Sequence, residues 1–323
     1  MQCRVPEPMG RPVAIGVLGG TSWIANEAVI PAIHDSVGAT VGSIGSRSGS
    51  IGYADVLADP AVDAVYIALP NDMHCEWVLA AAAAGKHVLC EKPLGVSQAD
   101  VRVMSEACDA AGVLLIEAYM TPFHPRSAAI DACLRSGELG EIRHADAAFT
   151  FCLAPGDNYR WLAQHGGGAL LDVGIYCLSP IVAAMAGPPS TVAARVNTAA
   201  TAATTVDATT AAWLGWSSGA TASVLASFEL PERQALVVCG TGGTLTVDRP
   251  FTPGAHDASF TITRPDGEVE SRSAAGGNSY LAMVEAFAAA VRGYAPWPRP
   301  ITESITIAEL CDRIRAAASE GAT

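Results

Sequence analysis

Charge is scarce in this chain, and basic charge scarcer still. Only 16% of its 323 residues are Asp, Glu, Lys or Arg, and 32 acids against 19 bases leave a net charge of −13. No basic run interrupts that balance, so a long polyanion would be repelled and a nucleic-acid partner is not expected. Long apolar runs are lacking too, although half the residues are hydrophobic and mean hydropathy is positive. The longest, Trp77 to Ala84 and Ala286 to Val291, fall far short of the ~20 residues of a spanning helix, so no membrane association is expected. The opening MQCRVPEPMGR has no apolar core, which argues against a secretory signal and for a cytoplasmic protein. Nine cysteines, from Cys3 to Cys311, form no CxxC and none stands beside a His at ligand spacing. They read as reduced, buried thiols, with no metal site.

What the chain does have is an alternation. Apolar strands at Val13–Leu18, Thr40–Gly45, Ala64–Ala68, His87–Cys90 and Val113–Glu117 are separated by helical stretches at 23–33, 54–58, 74–84 and 98–111. Pro31 predicts a kink or early end in the first helix. Such alternation with short connections predicts a doubly wound parallel sheet, an α/β Rossmann domain over 1–122. The rhythm then changes. Helices are expected at 125–136 and at 170–186, the latter interrupted by Pro180. Strands follow at 141–151, 191–197, 207–216, 221–228, 235–239, 244–247 and 260–263, with 199–205 as an edge loop. Helices at 280–292 and 303–318 close the chain. This is an α+β domain, 123–323, with an open-faced, mostly antiparallel sheet.

Four segments carry chemistry. In Gly19-Gly20-Thr21-Ser22-Trp23-Ile24-Ala25, small residues at 20, 22 and 25 keep the GxGxxG spacing. Gly20 would make the tight turn, Ser22 would let backbone approach a pyrophosphate, and Ala25 would pack helix on strand. A helix N-terminus there favours phosphate. The second strand ends at Ser46-Arg47, where an NAD site carries a carboxylate; a hydroxyl and a guanidinium suit a 2′-phosphate instead. Glu91-Lys92-Pro93 ends the fourth strand, on the ligand-binding edge of an open α/β sheet. Finally, Gly166-Gly167-Gly168 precedes Asp172 and Tyr176, which would share a helix face, and the glycines would let that helix approach a ligand. Each segment has a plainer structural use: a ligand-free turn, a solvated arginine, a surface lysine, a buried tyrosine.

GGTSWIA at 19–25, DPAVDAVYIALPNDMH at 59–74, AGKHVLCEKPL at 84–94 and GGGALLDVGIYCLS at 166–179 together resemble the glucose-fructose oxidoreductase / inositol dehydrogenase / rhizopine-catabolism (Gfo/Idh/MocA) family. Tyr176 places the resemblance in its tyrosine branch, similar to dihydrodiol dehydrogenases and NADP-dependent xylose dehydrogenases. The resemblance implies an NADP(H)-dependent dehydrogenase or reductase of a sugar, polyol or cyclic diol. The alternatives are a nucleotide-sugar ketoreductase, with Arg126, Arg160 and Arg233 as candidate diphosphate cations, and a non-catalytic NADP-binding sensor. It further implies Tyr176 as general acid/base, with Lys92 holding the substrate oxygen and favouring tyrosinate. Asp172 would orient the substrate or Lys92. Cofactor contacts are expected from Gly20, Thr21, Ser22, Trp23, Ile24, Ser46, Arg47, Leu69, Pro70, Asn71, His74, Glu91 and Lys92, and substrate contacts from His124, Arg160 and Trp161 on or near a roof loop at 157–161. A cis bond at Lys92–Pro93 and homo-oligomerisation, as dimer or tetramer, through the open sheet face are also implied. The chain departs from the resemblance at Ser22, and at Thr121-Pro122, where sugar-oxidising relatives carry an aromatic and an arginine.

Overall fold

A computed structural model describes residues 10–154, 156, 158–185, 187–200 and 205–320. Cys3, Asp157 and Ala186 lie outside these. The first sheet has the order β2-β1-β3-β4-β5 and is parallel throughout: β1 (Val13–Leu18), β2 (Ala39–Gly45), β3 (Ala64–Ile67), β4 (His87–Glu91) and β5 (Leu115–Ala118). All residues of β1 and β3 are buried, as expected of strands covered on both faces. Helices α1 (Ile30–Asp35), α2 (Tyr53–Ala58), α3 (His74–Ala83) and α4 (Gln98–Ala111) connect them. Strand order reverses between β1 and β3, so a crevice opens at their carboxyl ends, where such sheets bind ligands.

After α5 (Pro125–Ser136) comes the second sheet, β13-β12-β11-β10-β6-β9-β8-β7. Its strands are β6 (Ile142–Thr150), β7 (Thr191–Ala200), β8 (Thr205–Gly215), β9 (Thr221–Ser227), β10 (Arg233–Gly240), β11 (Gly243–Asp248), β12 (Ala258–Thr263) and β13 (Val269–Ala274). Every neighbouring pair is antiparallel except β6 and β9. One face packs on α6 (Ile175–Ala184), α5 and α8 (Ile301–Glu320); α7 (Ser279–Val291) lies against α1. Along β8, buried Ala212 and Leu214 alternate with exposed Ala211 and Trp213, leaving the other face open.

Several local expectations need correction. Neither proline breaks its helix. A π-turn at Ala25–Val29 leads directly into α1, so the helix runs on through Pro31 to Asp35, with its irregularity in the turn before the proline. Another π-turn, Leu170–Gly174, leads into α6, which runs through Pro180 to Ala184. Pro180 removes one backbone bond, and the burial of Ile175, Cys177, Leu178 and Ile181 outweighs that loss. The run 199–205 is not an edge loop at its ends: Ala199 and Ala200 continue β7 and pair with Val206 and Thr205. Strand β13, rich in charge and Ser, gave no apolar signal. The most apolar helical stretch lies within 163–184, outside the runs singled out from the sequence, and most of it is buried in the core.

Candidate active site

A cavity of about 630 Å³ opens at the carboxyl edge of the first sheet and is roofed by the second domain's side chains. Its floor is the turn after β1. Gly19, not Gly20, makes the tight bend: its φ is +114°, and a Cβ there would come within 2.3 Å of the Ala68 carbonyl oxygen. Gly20 lies outside the cavity lining; its N–H donates to the Gly45 carbonyl, and a Cβ would strike Ile44. Thr21, Ser22, Trp23 and Ile24 line the cavity at the start of the helix, with the Trp23 ring 74% exposed at its mouth. Arg47 also lines it, and among the described residues it forms no ion pair or hydrogen bond. Ser46 does not reach the cavity; its N–H closes the loop onto the Ile51 carbonyl.

Leu69, Pro70 and Asn71, after β3, line the same space, and Asn71 Nδ2 donates to the Gly166 carbonyl at 2.9 Å. His74 does not. It is wholly buried, with ring nitrogens 2.9 Å from the carbonyl oxygens of Pro93 and Leu69, so it ties the loop after β3 to the loop after β4. Burial drives its pKa down, against those carbonyls. The Lys92–Pro93 bond is cis. Glu91 lines the cavity and accepts from the Tyr66 hydroxyl at 2.7 Å; burial raises its pKa despite that bond.

Lys92, Asp172 and Arg160 converge. Lys92 Nζ donates to Asp172 Oδ1 at 3.0 Å and to the Asp172 carbonyl at 2.9 Å, and Arg160 Nε donates to Asp172 Oδ2 at 2.7 Å. Burial opposes each of these charges, but their attraction prevails: the Asp172 carboxyl lies below the usual carboxylate range, and Lys92 above the usual lysine value. Lys92 Nζ also lies 5.1 Å from the centre of the Tyr176 ring, over its face. Tyr119 and Phe149 meet that ring edge-on at 5.2 and 5.4 Å. The Tyr176 hydroxyl has no hydrogen-bond partner among the described residues. Burial pushes its pKa well above the tyrosine range, so the expectation of a favoured tyrosinate is corrected. Lys92's charge is meanwhile engaged by Asp172.

The three glycines at 166–168 are each required by the protein's own packing. A Cβ on Gly166 would strike Val96, one on Gly167 the Arg160 carbonyl, and one on Gly168 Asp207 Oδ1. Two expected substrate residues are elsewhere. His124 is buried and caps α5 through Nδ1, which accepts from the Arg126 N–H. Trp161 is buried against Phe228, with Nε1 donating to the Ala154 carbonyl. Of the proposed diphosphate cations, Arg126 is buried on the carbonyls of Asp248, Arg249 and Ser259, and Arg233, on β10, faces Asp146 of β6 and is not part of the cavity lining. Only Arg160 remains. The cavity also gathers residues the sequence did not single out, notably Tyr53, Met120, Phe149, Phe151, Thr252 and Tyr280. Of these only Phe149 and Phe151 left a signal, two aromatics in alternation at the end of a strand.

Residues 20–119 match the oxidoreductase family with NAD-binding Rossmann fold, and residues 128–246 match the GFO/IDH/MocA C-terminal domain. A D-xylose 1-dehydrogenase (NADP(+)) from Haloferax volcanii is 35% identical over 95% of this chain and 98% of its own. A trans-1,2-dihydrobenzene-1,2-diol dehydrogenase from Mus musculus is 35% identical over 62% of this chain and 60% of its own. Among solved structures, a 3-ketoreductase from Actinomadura kijaniata in complex with NADP and TDP-benzene superposes with a TM-score of 0.86, at 29% identity, covering 95% of this chain and 98% of that one. The chain belongs to the Gfo/Idh/MocA oxidoreductase family.

Proposed function

We propose that this family member is an NADP(H)-dependent dehydrogenase or reductase acting on a CH–OH or carbonyl carbon of a sugar, polyol or cyclic diol. The relatives at 35% identity act on D-xylose and on a dihydrobenzenediol, which supports that range. The observation that carries the reading is Tyr176, its hydroxyl unpartnered and its ring face 5.1 Å from the Lys92 ammonium, in a cavity whose other end is a glycine turn. The residues fit a dinucleotide: the bend at Gly19 leaves no room for a side chain, residues 21–24 line the cleft at the start of a helix, and the free Arg47 guanidinium suits a 2′-phosphate. When bound, the nicotinamide supplies the carbon that gives or accepts the hydride.

The chain's own groups do the rest. Tyr176 gives its proton to the substrate oxygen in reduction and takes it back in oxidation. Lys92 has three N–H donors, two spent on Asp172, and the third holds that same oxygen. Asp172 positions Lys92 and Arg160 together. The nucleotide-sugar alternative loses two of its three cations, Arg126 and Arg233. A pure sensor has no use for the Lys92–Tyr176 pair.

The same reading divides the chain at 122/123 and lets a second copy cover the open sheet face around Trp213. It places the protein in the reducing cytoplasm, where the eight described cysteines, all free, would stay reduced. Following NADPH absorbance over aldoses, dihydrodiols and keto-sugars tests the function. Turnover of at least one class is expected; NADPH binding without oxidation by any carbonyl compound would leave the sensor.

A further inference from the structure

Three buried polar side chains that the chemistry does not use converge on one loop, residues 248–252. Arg126 donates to the carbonyls of Asp248 at 3.0 Å and Arg249 at 2.6 Å. Thr121 Oγ1 donates to the Phe251 carbonyl at 2.8 Å. Gln234 Oε1 accepts from the N–H groups of Phe251 and Thr252, and its Nε2 donates to Thr252 Oγ1 at 2.6 Å. The loop they hold is strained: Arg249, with φ +45°, is the only non-glycine residue at positive φ among those described. Strain of this kind persists only where the surroundings over-determine it, and it gathers at ligand sites. The strained turn presents Phe251, stacked on Phe149 at 5.4 Å and 6.0 Å from the Tyr176 ring, and Thr252, which lines the cavity.

The hydrogen-bond directions are fixed. Two backbone N–H groups require the Gln234 oxygen on their side, so its amide nitrogen faces Thr252. A threonine hydroxyl has one proton to give, and accepting from Gln234 leaves that proton unspent. No acceptor for it exists among the described residues, while the residue borders the cavity.

We propose that Thr252 is a substrate-recognition residue, a directed donor to a substrate oxygen other than the one bound by Tyr176 and Lys92. The second oxygen that a sugar, polyol or diol carries beyond the reacting carbon thereby gains a protein partner, which disfavours simple ketones. This rests on the oxidoreductase reading above.

The test is steady-state kinetics with a substrate found in the panel and its singly deoxygenated analogues. Thr252→Val should lower kcat/KM about three- to tenfold, the worth of one neutral hydrogen bond. Thr252→Ser should stay within about twofold of wild type. One analogue should lose the same factor with wild type and be indifferent to Thr252→Val, while NADPH affinity is unchanged in all variants. Gln234→Glu keeps the shape but offers an acceptor to Thr252, capturing its proton; it should match Thr252→Val and add nothing in that background. Equal turnover by wild type and Thr252→Val, or an equal loss on every analogue, overturns the assignment while leaving the oxidoreductase reading standing. A wild type that binds NADPH and turns over no compound overturns both.

Discussion

The wall of the cleft that comes from the first sheet contains a bend, at Gly19, where no side chain fits, whereas the wall opposite is lined by side chains throughout. On the first wall, the bend at Gly19 and the helix start at 21–24 face the cavity together with Arg47, Tyr53, Asn71, Glu91 and Lys92. On the second, Phe149, Tyr159, Arg160, Asp172, Tyr176, Thr252 and Tyr280 arrive from β6, the 159–161 turn, the helix at 170–184, the 248–252 loop and α7. A backbone wall binds what its ligands have in common, phosphates, through N–H groups that every residue possesses. A side-chain wall can be rebuilt one residue at a time, which is how one fold serves many substrates. Single substitutions should therefore sort the cleft by residue: chemistry lost at Tyr176 and at Lys92, cofactor choice altered at Arg47.

The largest effect is expected at Tyr176. Phenylalanine keeps the ring packed against Tyr119 and Phe149 and removes only the hydroxyl. Turnover should fall about 10²- to 10⁴-fold, the usual worth of general acid–base catalysis, with NADPH affinity intact. Retained turnover, with Lys92→Met inactive, would make the tyrosine structural and assign the proton to another group. Next is Asp172→Asn, which strands the Lys92 and Arg160 charges in a buried site. Removing one partner of such a group costs about 3–5 kcal/mol, readable by urea unfolding. The pH dependence carries a sign. Asp172's folded pKa is depressed, so its contribution is present above the unfolded value of about 3.9 and is lost as pH falls through the folded one. Wild type should weaken in that acid window more steeply than Asp172→Asn.

On the other wall, Arg47→Ala should cost NADP(H) about ten- to a hundredfold in affinity, a charged hydrogen bond being worth about 1.5–3 kcal/mol. NAD(H) should be spared, and equal losses would remove Arg47 from the 2′-phosphate. The mildest test uses no substitution. With the Tyr176 phenol held above the ordinary value of about 10, oxidation should quicken about tenfold per pH unit through the neutral range, while reduction stays flat. A plateau in oxidation near pH 8 would mean that bound cofactor and substrate bring the phenol down.

The contrast between the walls also explains what could be read in advance. The glycine turn, the strand-end Lys92 and the alternation of strands and helices are local in sequence, so spacing reveals them. Arg47 was legible because an acid was missing where one is usual. Thr252 and Tyr280 were not, since nothing near 252 or 280 announces that folding will carry them to a site built around residues 92 and 176. His74, His124 and Trp161 misled for the converse reason. A histidine that ties loop carbonyls or caps a helix, and a tryptophan that anchors a turn, look in sequence like residues awaiting a ligand. The glycines at 166–168 belong with them: their smallness is demanded by Val96, Arg160 and Asp207.

Trp23 has a practical side. An indole left in water at the mouth of the cleft, while Trp161 is enclosed, makes the cleft its own reporter. Dihydronicotinamide absorbs where tryptophan emits, so arrival of the reduced dinucleotide should dim this ring by energy transfer. Trp23→Phe would subtract its share of the signal. Occupancy could then be followed in real time, before any substrate has been found.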